Sequence, residues 1–524
     1  MKLHHFLLLI IFLSGNAHTA SLPPSVLKAL KQAHIPISSV GIEVRELNAR
    51  MPLISVNAKQ AMNPASTMKL LTTYAGLEIL GPTHTWKTEA YLSGKLEQGV
   101  LQGDLILKGH GNPKLSLEKF WLWLRELRDR GLRDIHGNLV LDRSAFETST
   151  HDSSAFDNEP TRPYNMGPDA LLLNYNAVRL RFIPDGEKIN VISEPELAGI
   201  TRDNRITVAT GTENCGRWDE QISTQLNGGV MLLQGAFPMQ CGECEDYICP
   251  LPHPQYMYAV FRTLWQEMGG TLDGELREGV LPENATLFAT HQSAPLSELI
   301  RDINKFSNNV MARQLFMSLS ASPGPNHSPG PNHSPSPNHS PSPNQNPRQS
   351  VQPERASQAS DDTPCIEPLP CPLPAESTPA SPPLPASNAC SEQVIRDWLT
   401  KKSLNFPELV LENGAGLSRR ERISSRHLAL LLQSAKRGPL AAEFEASLPI
   451  VGVDGTFKKR LMDKSSTGYG HLKTGSLEGV NAVAGYVQSG SGKQWVVVFL
   501  INHPNAYGGQ QAQDALIEWI QGRR

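Results

Sequence analysis

The segment PASTMKLLTTYAGLEILGP, residues 64–82, places Ser66 and Lys69 three positions apart at the start of an apolar helix. A serine hydroxyl at a helix N-terminus lies near free backbone N–H groups, and an amine one turn later shares its face and can reach it. Such an amine acts as a base when burial and nearby positive charge lower its pKa. We interpret the pair as a candidate Ser–Lys dyad. The alternative is a capping serine followed by a snorkelling lysine.

Two further motifs carry polar residues into otherwise apolar segments. Ser307-Asn308-Asn309 interrupts the helical stretch NKFSNNVMARQLF, and small polar residues are poor choices for a helix interior. This pattern predicts a local break facing something polar; an ordinary exposed helix break is the alternative. Lys473-Thr474-Gly475-Ser476 enters a strand, where a lysine beside a hydroxyl suits a carboxylate and a glycine on an edge strand admits a substrate backbone. A plain turn is the alternative.

Composition and charge define the class of protein. The chain has 524 residues, 39% of them hydrophobic, which is too long for one core and indicates two or three structural units. The net charge of −3 gives no reason to expect a nucleic acid partner.

The first twenty residues, MKLHHFLLLIIFLSGNAHTA, combine a lysine, a short apolar run and small residues. This pattern is typical of a secretory signal peptide spanning residues 1–20, cleaved after Ala17 or Ala20. An uncleaved anchor is the alternative. Export predicts a periplasmic protein with, at most, peripheral membrane association, because the final helix IEWIQGRR is too short to anchor.

An exported protein is free to form disulfides. Four of the seven cysteines, Cys215, Cys241, Cys244 and Cys249, cluster in sequence, and we expect structural disulfides among them. The Cys-x-x-Cys of CGECEDYIC leaves a zinc site or a redox pair as alternatives.

Hydrophobic periodicity predicts the domain organisation. Alternating residues in 38–58 indicate a hairpin with one buried face, and the C-terminal strands VNAVAGYVQ and KQWVVVFLIN are flanked by helices. We expect one α/β catalytic domain split by insertions. Its predicted parts are residues 21–82, 286–320 and 389–524, interrupted by a mostly-β region at 83–285 with two subdomains, 83–163 plus 255–285 and 164–254.

A second insertion, residues 321–388, is rich in proline and serine and contains a six-residue unit copied four times. Such a segment buries too little apolar surface to offset its ordering entropy, so it is predicted to be a disordered or polyproline-like tether. Its partner is unknown. Weak metal binding by His327, His333 and His339 is the alternative to a plain linker.

The three motifs in this order, Ser-x-x-Lys, Ser-x-Asn and Lys-Thr-Gly, are the signature of penicillin-interacting serine enzymes. The chain resembles the low-molecular-mass class C penicillin-binding proteins, the D-alanyl-D-alanine carboxypeptidase/endopeptidase family. The long separation between the first two motifs fits that subclass, as do the segments SAPLSELI, NGAGLSR, LPIVGVDGTF and KTGSLEGVNAVAGY. The resemblance implies an α/β penicillin-binding domain with a central antiparallel sheet flanked by helices, plus mostly-β inserted domains.

The resemblance also implies roles for the motif residues. Ser66 would be the nucleophile that forms an acyl-enzyme, and Lys69 would take its proton. Ser307, with Asn309, would relay the proton to the leaving amine. Lys473 would bind the terminal carboxylate and help to depress the pKa of Lys69.

Five further residues are expected to bind substrate. Thr474 would share the carboxylate with the lysine, Gly475 would admit the substrate backbone, and the N–H groups of Ser66 and Ser476 would form an oxyanion hole. Asp142 and Arg419, which match family segments near the cleft, are expected to bind the charged ends of a diaminopimelate side chain. A structural or surface ion pair is the alternative for each.

The resemblance therefore predicts an enzyme that cleaves peptidoglycan stem peptides and is acylated by β-lactams, with no metal or organic cofactor. Two alternatives remain: a β-lactamase, which differs by rapid deacylation, and a catalytically silent wall-binding scaffold.

Overall fold

The computed structural model describes residues 21–147, 151–209, 215–321 and 385–524. The predicted signal peptide, the three histidines of the proline-rich repeat and most of that insertion lie outside these ranges. In chain order, the strands are β1 (Val40–Glu46), β2 (Ile54–Val56), β3 (Ala61–Met62), β4 (Lys87–Glu97), β5 (Val100–Gly109), β6 (Asp134–Ile135), β7 (Leu139–Asp142), β8 (Val178–Asp185), β9 (Lys188–Glu194), β10 (Thr201–Ala209), β11 (Ile222–Asn227), β12 (Val230–Pro238), β13 (Cys244–Ile248), β14 (Thr271–Leu272), β15 (Leu276–Glu278), β16 (Thr286–Gln292), β17 (Ile423–Ser424), β18 (Gly470–Leu477), β19 (Val480–Gln488) and β20 (Gln494–Asn502).

Helices connect and cover these strands. They are α1 (Pro24–Gln32), α2 (Lys69–Ile79), α3 (Leu117–Asp129), α4 (His253–Glu267), α5 (Leu296–Lys305), α6 (Asn309–Ala321), α7 (Asn388–Lys401), α8 (Ser425–Arg437), α9 (Ala441–Ala446) and α10 (Gln510–Gln521). None of the helices in the described ranges has the length and apolar character of a membrane span.

Both ends of the chain contribute to one antiparallel sheet of order β18-β19-β20-β1-β2. Side chains alternate between its faces. On β20, Val497 and Phe499 join the core with α1 and α10, whereas Val496 and Val498 join the core with α2 and α8. The sheet is therefore covered by helices on both faces, which confirms the expected α/β architecture.

The N-terminal hairpin differs from its prediction in one respect. Val40, Ile42 and Val44 line one buried face as expected, but the opposite face is buried too. Glu43 and Arg45 lie there, and the Arg45 Nε donates to Glu43 Oε1 at 2.6 Å. The alternation of apolar and polar residues suggested that the face with Glu43 and Arg45 is solvated. Helix α8 covers that face, so the two charges are paired with each other instead.

The segment between Ser66 and Ser307 contributes three sheets. One has seven strands, β4 to β7 and β14 to β16, and carries α3 and α4 in its core. The other two are β13-β8-β9 and β10-β12-β11. The predicted domain boundaries stay predictions, with two differences in detail. Strand Thr286–Gln292, assigned to the catalytic domain, pairs with β4 of the seven-stranded sheet. Ala386, assigned to the insertion, forms a bridge with Phe146.

The cysteine prediction is confirmed in part. Cys215 and Cys241 form a disulfide, whereas Cys244 and Cys249 are free thiols. One disulfide thus forms among the four cysteines, and the free Cys249 thiol is buried beside the Tyr175 carbonyl. The Cys-x-x-Cys is neither a zinc site nor a redox pair, since its first cysteine is bonded outside the motif.

Candidate active site

A short 3-10 helix, Ala65–Met68, leads directly into α2 and carries Ser66 at the edge of the buried region. Lys69, the first residue of α2, is completely buried. Its Nζ lies 2.9 Å from Ser66 Oγ. The spacing of three thus brings amine and hydroxyl together, as the sequence predicted.

Two carbonyl oxygens complete the surroundings of the amine. Lys69 Nζ donates to Asn309 Oδ1 and to the Ala415 carbonyl oxygen, each at 2.5 Å. A neutral amine has two N–H bonds and one lone pair. When both N–H bonds are directed at these oxygens, the lone pair is left for the hydroxyl proton of Ser66. The geometry therefore suits a general base.

Electrostatics favour that neutral form. Burial lowers the pKa of Lys69 well below its ordinary value, and the positive charges of Lys473 and Arg313 lower it further, while Glu421 opposes them. Desolvation and neighbouring cations act in the same direction on an ammonium group. Lys69 is thus a far stronger candidate base than an exposed lysine.

The predicted helix break is confirmed. Helix α5 ends at Lys305 and α6 begins at Asn309. Between them Ser307 adopts a positive φ of 58°, and the Asn308 side chain accepts from the Met311 N–H at 3.0 Å, which caps α6. The break turns Ser307 and Asn309 towards the two lysines.

Lys473 lies on the edge strand β18 and is fully buried. Its Nζ donates to Ser307 Oγ at 2.8 Å and to the Thr474 carbonyl at 2.7 Å. Burial lowers the pKa of Lys473 to about 7. Ser307 therefore has one of the two lysines within hydrogen-bond distance, and Asn309 has the other.

The remaining residues of the third motif line the open side of β18. Thr474 Oγ1 donates to Thr456 Oγ1 at 2.8 Å, and Ser476 is exposed. Gly475 lies so close to the candidate nucleophile that a Cβ there would be 2.9 Å from Ser66 N. Only glycine allows this approach of two backbones.

Asp142 is not joined to this cluster by any described contact. It is completely buried and pairs with Lys108 at 2.9 Å, and it also accepts hydrogen bonds from Ser144 and from the Leu281 N–H. Burial opposes its ionisation, but the bonds from Ser144 and Lys108 hold its pKa below the ordinary value. Its contacts fit the structural ion-pair alternative, and its substrate role stays a prediction.

Arg419 lies nearer to the site. It pairs with Glu478, directly after β18, at 3.1 Å and lies over the Phe156 ring at 4.7 Å. Arg419 and Phe156 help to line a cavity of about 480 Å³ together with Arg313 and Asn413. Its position at the end of the edge strand is compatible with substrate binding, which also stays a prediction.

Comparison with known families decides the class of the protein. The model of the D-Ala-D-Ala carboxypeptidase 3 (S13) family matches residues 23–328 and 379–522, which contain all three motifs. The chain belongs to this family. It is accordingly a serine-type D-Ala-D-Ala carboxypeptidase of the low-molecular-mass penicillin-binding class, as its motif order indicated.

Two D-alanyl-D-alanine carboxypeptidases are similar to this S13 peptidase over most of its length. It is 23% identical to D-alanyl-D-alanine carboxypeptidase DacB of Haemophilus influenzae over 89% of this chain and 85% of the relative. It is 25% identical to a D-alanyl-D-alanine carboxypeptidase of Actinomadura sp. over 86% of this chain and 76% of the relative.

A solved structure shares the fold of the S13 peptidase. Penicillin binding protein 4 (dacB) from Haemophilus influenzae superposes with a TM-score of 0.69 at 21% identity, covering 94% of this chain and 99% of that one. The same protein has been solved in complex with a β-lactam.

Sequence reasoning missed several residues of the S13 peptidase that surround Lys69. The segment NGAGLSR indicated only Arg419, yet its Ala415 carbonyl binds the lysine. Arg313 and Glu421, both buried, affect the charge of that lysine. A pattern of polar and apolar residues does not reveal that a charge is buried. Only the resemblance of NGAGLSR to a segment of the family could have directed attention to this loop.

Proposed function

We propose that the protein removes the terminal D-alanine from peptidoglycan stem peptides through an acyl-enzyme on Ser66, with Lys69 as general base. The observation that supports this most directly is the triple contact of Lys69 Nζ with Ser66 Oγ, Asn309 Oδ1 and the Ala415 carbonyl. This arrangement prepares the amine to accept the hydroxyl proton and has no evident structural purpose for a buried lysine.

In the acylation step, Ser66 Oγ attacks the carbonyl carbon of the penultimate D-alanine while its proton passes to Lys69 Nζ. The oxyanion is stabilised by the backbone N–H groups of Ser66 and Ser476, a contribution of about 3–4 kcal/mol in acyl-transfer enzymes. The close approach of Gly475 to the Ser66 backbone supports this assignment.

The C–N bond then breaks, and the leaving amine of D-alanine needs a proton. Ser307 is suited to relay to it the proton that Lys69 took from Ser66, because its Oγ is hydrogen-bonded to Lys473 and Asn309, two residues further on, contacts Lys69. Lys473, as an ammonium, and Thr474 bind the terminal carboxylate of the substrate. Water finally hydrolyses the ester and restores Ser66.

The same chemistry extends to cross-links, where the amine that leaves belongs to a neighbouring stem peptide. We include this endopeptidase reaction in the proposal. We also propose that the enzyme is exported to the periplasm by its first twenty residues, with no more than peripheral membrane contact.

Intact mass of the mature protein mixed with benzylpenicillin, followed over time, tests the proposal. We expect a persistent penicilloyl adduct on the wild type and on Ser465→Ala, an exposed serine control, and none on Ser66→Ala. Release of D-alanine from a peptide ending in D-Ala-D-Ala should follow the same pattern.

Two other outcomes would contradict the proposal. A transient adduct with rapid loss of drug would identify a β-lactamase. Neither an adduct nor loss of drug or D-alanine would indicate a silent site.

A further inference from the structure

Glu421 is a completely buried carboxylate outside the three motifs. Its Oε1 accepts hydrogen bonds from the backbone N–H groups of Glu412, Asn413 and Gly414, at 3.1, 3.0 and 3.0 Å. Its Oε2 has no hydrogen-bond partner among the described residues. One side chain therefore fixes three consecutive peptide groups at a considerable cost in desolvation.

The peptide groups held in this way immediately precede the acceptor of the candidate base. The Ala415 carbonyl accepts from Lys69 Nζ at 2.5 Å, and the Gly414 carbonyl accepts from Thr72 Oγ1 at 2.6 Å. Helix α2 thus donates hydrogen bonds to the carbonyl groups of this loop, while Glu421 accepts hydrogen bonds from its N–H groups. Loss of either set would allow the Ala415 carbonyl to turn away from the lysine.

Charge supplies a second link between Glu421 and Lys69. Lys473 on β18 and Arg313 on α6 face Lys69 as cations, and Glu421 faces it as an anion. Arg313 in turn faces both Glu421 and Glu412. Burial raises the pKa of Glu421, whereas its three N–H donors and Lys69 oppose that rise.

Hydrogen bonding favours the ionised form of Glu421. A protonated acid would leave its O–H on Oε2 as a buried donor with no acceptor among the described residues. A carboxylate leaves only lone pairs unsatisfied there, and its charge strengthens the three N–H bonds that the other oxygen accepts. The anion is thus the form that fits this site.

We propose that Glu421 is a positioning residue of the acylation step: its carboxylate holds the Ala415 carbonyl on Lys69 Nζ and supplies the anion that balances the cations around that amine. It touches neither the substrate nor the reacting atoms and acts through Lys69. The inference rests on the proposed function of Ser66 and Lys69.

Two substitutions separate orientation from charge. Glu421→Gln keeps an oxygen for the three N–H groups but removes the negative charge. Glu421→Asp keeps the charge but shortens the side chain by one methylene, so that it no longer reaches all three donors. Glu43→Gln, at another completely buried glutamate with no described contact to Lys69, is the matched control.

The measurement is the second-order rate of benzylpenicillin acylation of the full mature chain, taken against pH. Removing an anion disfavours the protonated form of Lys69, so the acid limb of Glu421→Gln should move down by about one pH unit. Glu421→Asp should keep the wild-type midpoint while its plateau rate falls by about 10-fold to 100-fold, because the Ala415 carbonyl is misplaced. Glu43→Gln should change neither.

Each variant can contradict the inference by itself. The inference can therefore still be tested if one of the two variants does not fold. An unshifted acid limb in Glu421→Gln would contradict the role of its charge. A wild-type plateau in Glu421→Asp would contradict the positioning role. If the wild type itself formed no adduct, the proposed function would fail first; if it formed one and both variants matched it, only this inference would fail.

Discussion

Two lysines that the fold has removed from water dominate the site at the scale of single residues. Lys69 and Lys473 are both fully buried, and burial lowers the pKa of each. Lys69 is surrounded by acceptors for its N–H bonds, whereas Lys473 donates to Ser307 Oγ and to the Thr474 carbonyl. The same physical cause thus suits Lys69 to its proposed role as a base and leaves Lys473 mainly a cation only below a pH of about 7.

The first prediction concerns Lys69→Met, which preserves much of the side-chain volume and removes the amine. Without a base, the acylation rate with benzylpenicillin should fall by about 10²-fold to 10⁴-fold. Quenched-flow or time-resolved mass measurement gives the rate directly.

The matched control is Lys458→Met, at an exposed lysine. It should acylate at the wild-type rate. A Lys69→Met variant that acylated within a factor of about 10 of the wild type would show that another group removes the proton.

The second prediction is a pH dependence that comes from Lys473. Its pKa of about 7 means that the ammonium predominates below that pH and is lost above it. Binding of a substrate carboxylate should therefore weaken as pH rises through about 7, giving kcat/KM an alkaline limb. Lys473→Arg, whose guanidinium stays charged, should move this limb to higher pH.

The comparison is made with a peptide ending in D-Ala-D-Ala and with its C-terminal amide. The amide has no carboxylate, so this alkaline limb should be absent from its profile. An identical limb for both peptides would exclude Lys473 as its source.

At the scale of elements, the edge strand β18 matters through its distance from the 3-10 helix. A Cβ at Gly475 would lie 2.8 Å from the Pro64 carbonyl oxygen and 2.9 Å from Ser66 N. Both are backbone atoms, so the strand or the helix would have to move. Ser66 and the strand that is proposed to receive the substrate are thus held in a fixed relation.

The third prediction follows from that contact. Gly475→Ala should slow acylation by about 10-fold to 100-fold, because a shift of even 1 Å near the nucleophile is costly. Overpacking should also lower the free energy of unfolding by about 1–3 kcal/mol. Acylation rates and thermal unfolding are the measurements.

Gly279→Ala serves as the control, because a Cβ there meets only Val140 Cγ1 at 3.6 Å, an ordinary contact. It should leave both quantities unchanged. If Gly475→Ala were acylated at the wild-type rate, β18 would be able to move without slowing the reaction.

What could be predicted from the sequence also differs by element. The break at Ser307 and the edge glycine of β18 were predicted because local residue preferences there are strong. The loop that ends at Glu421 was not, because its role depends on contacts with a helix far away in the chain. The burial of Glu43 and Arg45 was missed for the same reason: whether α8 covers that face is a tertiary fact.

At the scale of the whole molecule, the active site joins three distant parts of the chain, and the segment between the first two builds separate sheets. The order of the motifs identified the family, since no local property of any one motif is specific. The partners of Asp142 could not be predicted, because the sequence around a buried aspartate does not show whether it contacts substrate or a residue such as Lys108.

The fourth prediction concerns the disulfide Cys215–Cys241, which closes a loop with a sequence separation of 26. Replacing both cysteines by serine should lower the free energy of unfolding by about 2–4 kcal/mol. The acylation rate should stay unchanged, because no described contact joins these cysteines to Lys69 or Lys473. Denaturant unfolding and penicillin acylation measure the two effects.

Cys244→Ser, at a free thiol in the same segment, is the control and should affect stability far less. A large fall in the acylation rate of the double serine variant would reveal coupling between this segment and the site.

The central sheet has a consequence for biosynthesis. Strand β1 pairs with β20 from Val40–Ile501 to Glu46–Trp495, and Lys473 reaches Ser307 from β18. The ribosome makes Ser66 and Lys69 early, but the central sheet lacks its middle strands until β19 and β20 emerge. Pairing between such distant segments is slow to nucleate. A nascent chain that stops before Gly470 therefore carries Ser66 and Lys69 without a working site, and catalytic competence is the last property that the growing polypeptide acquires.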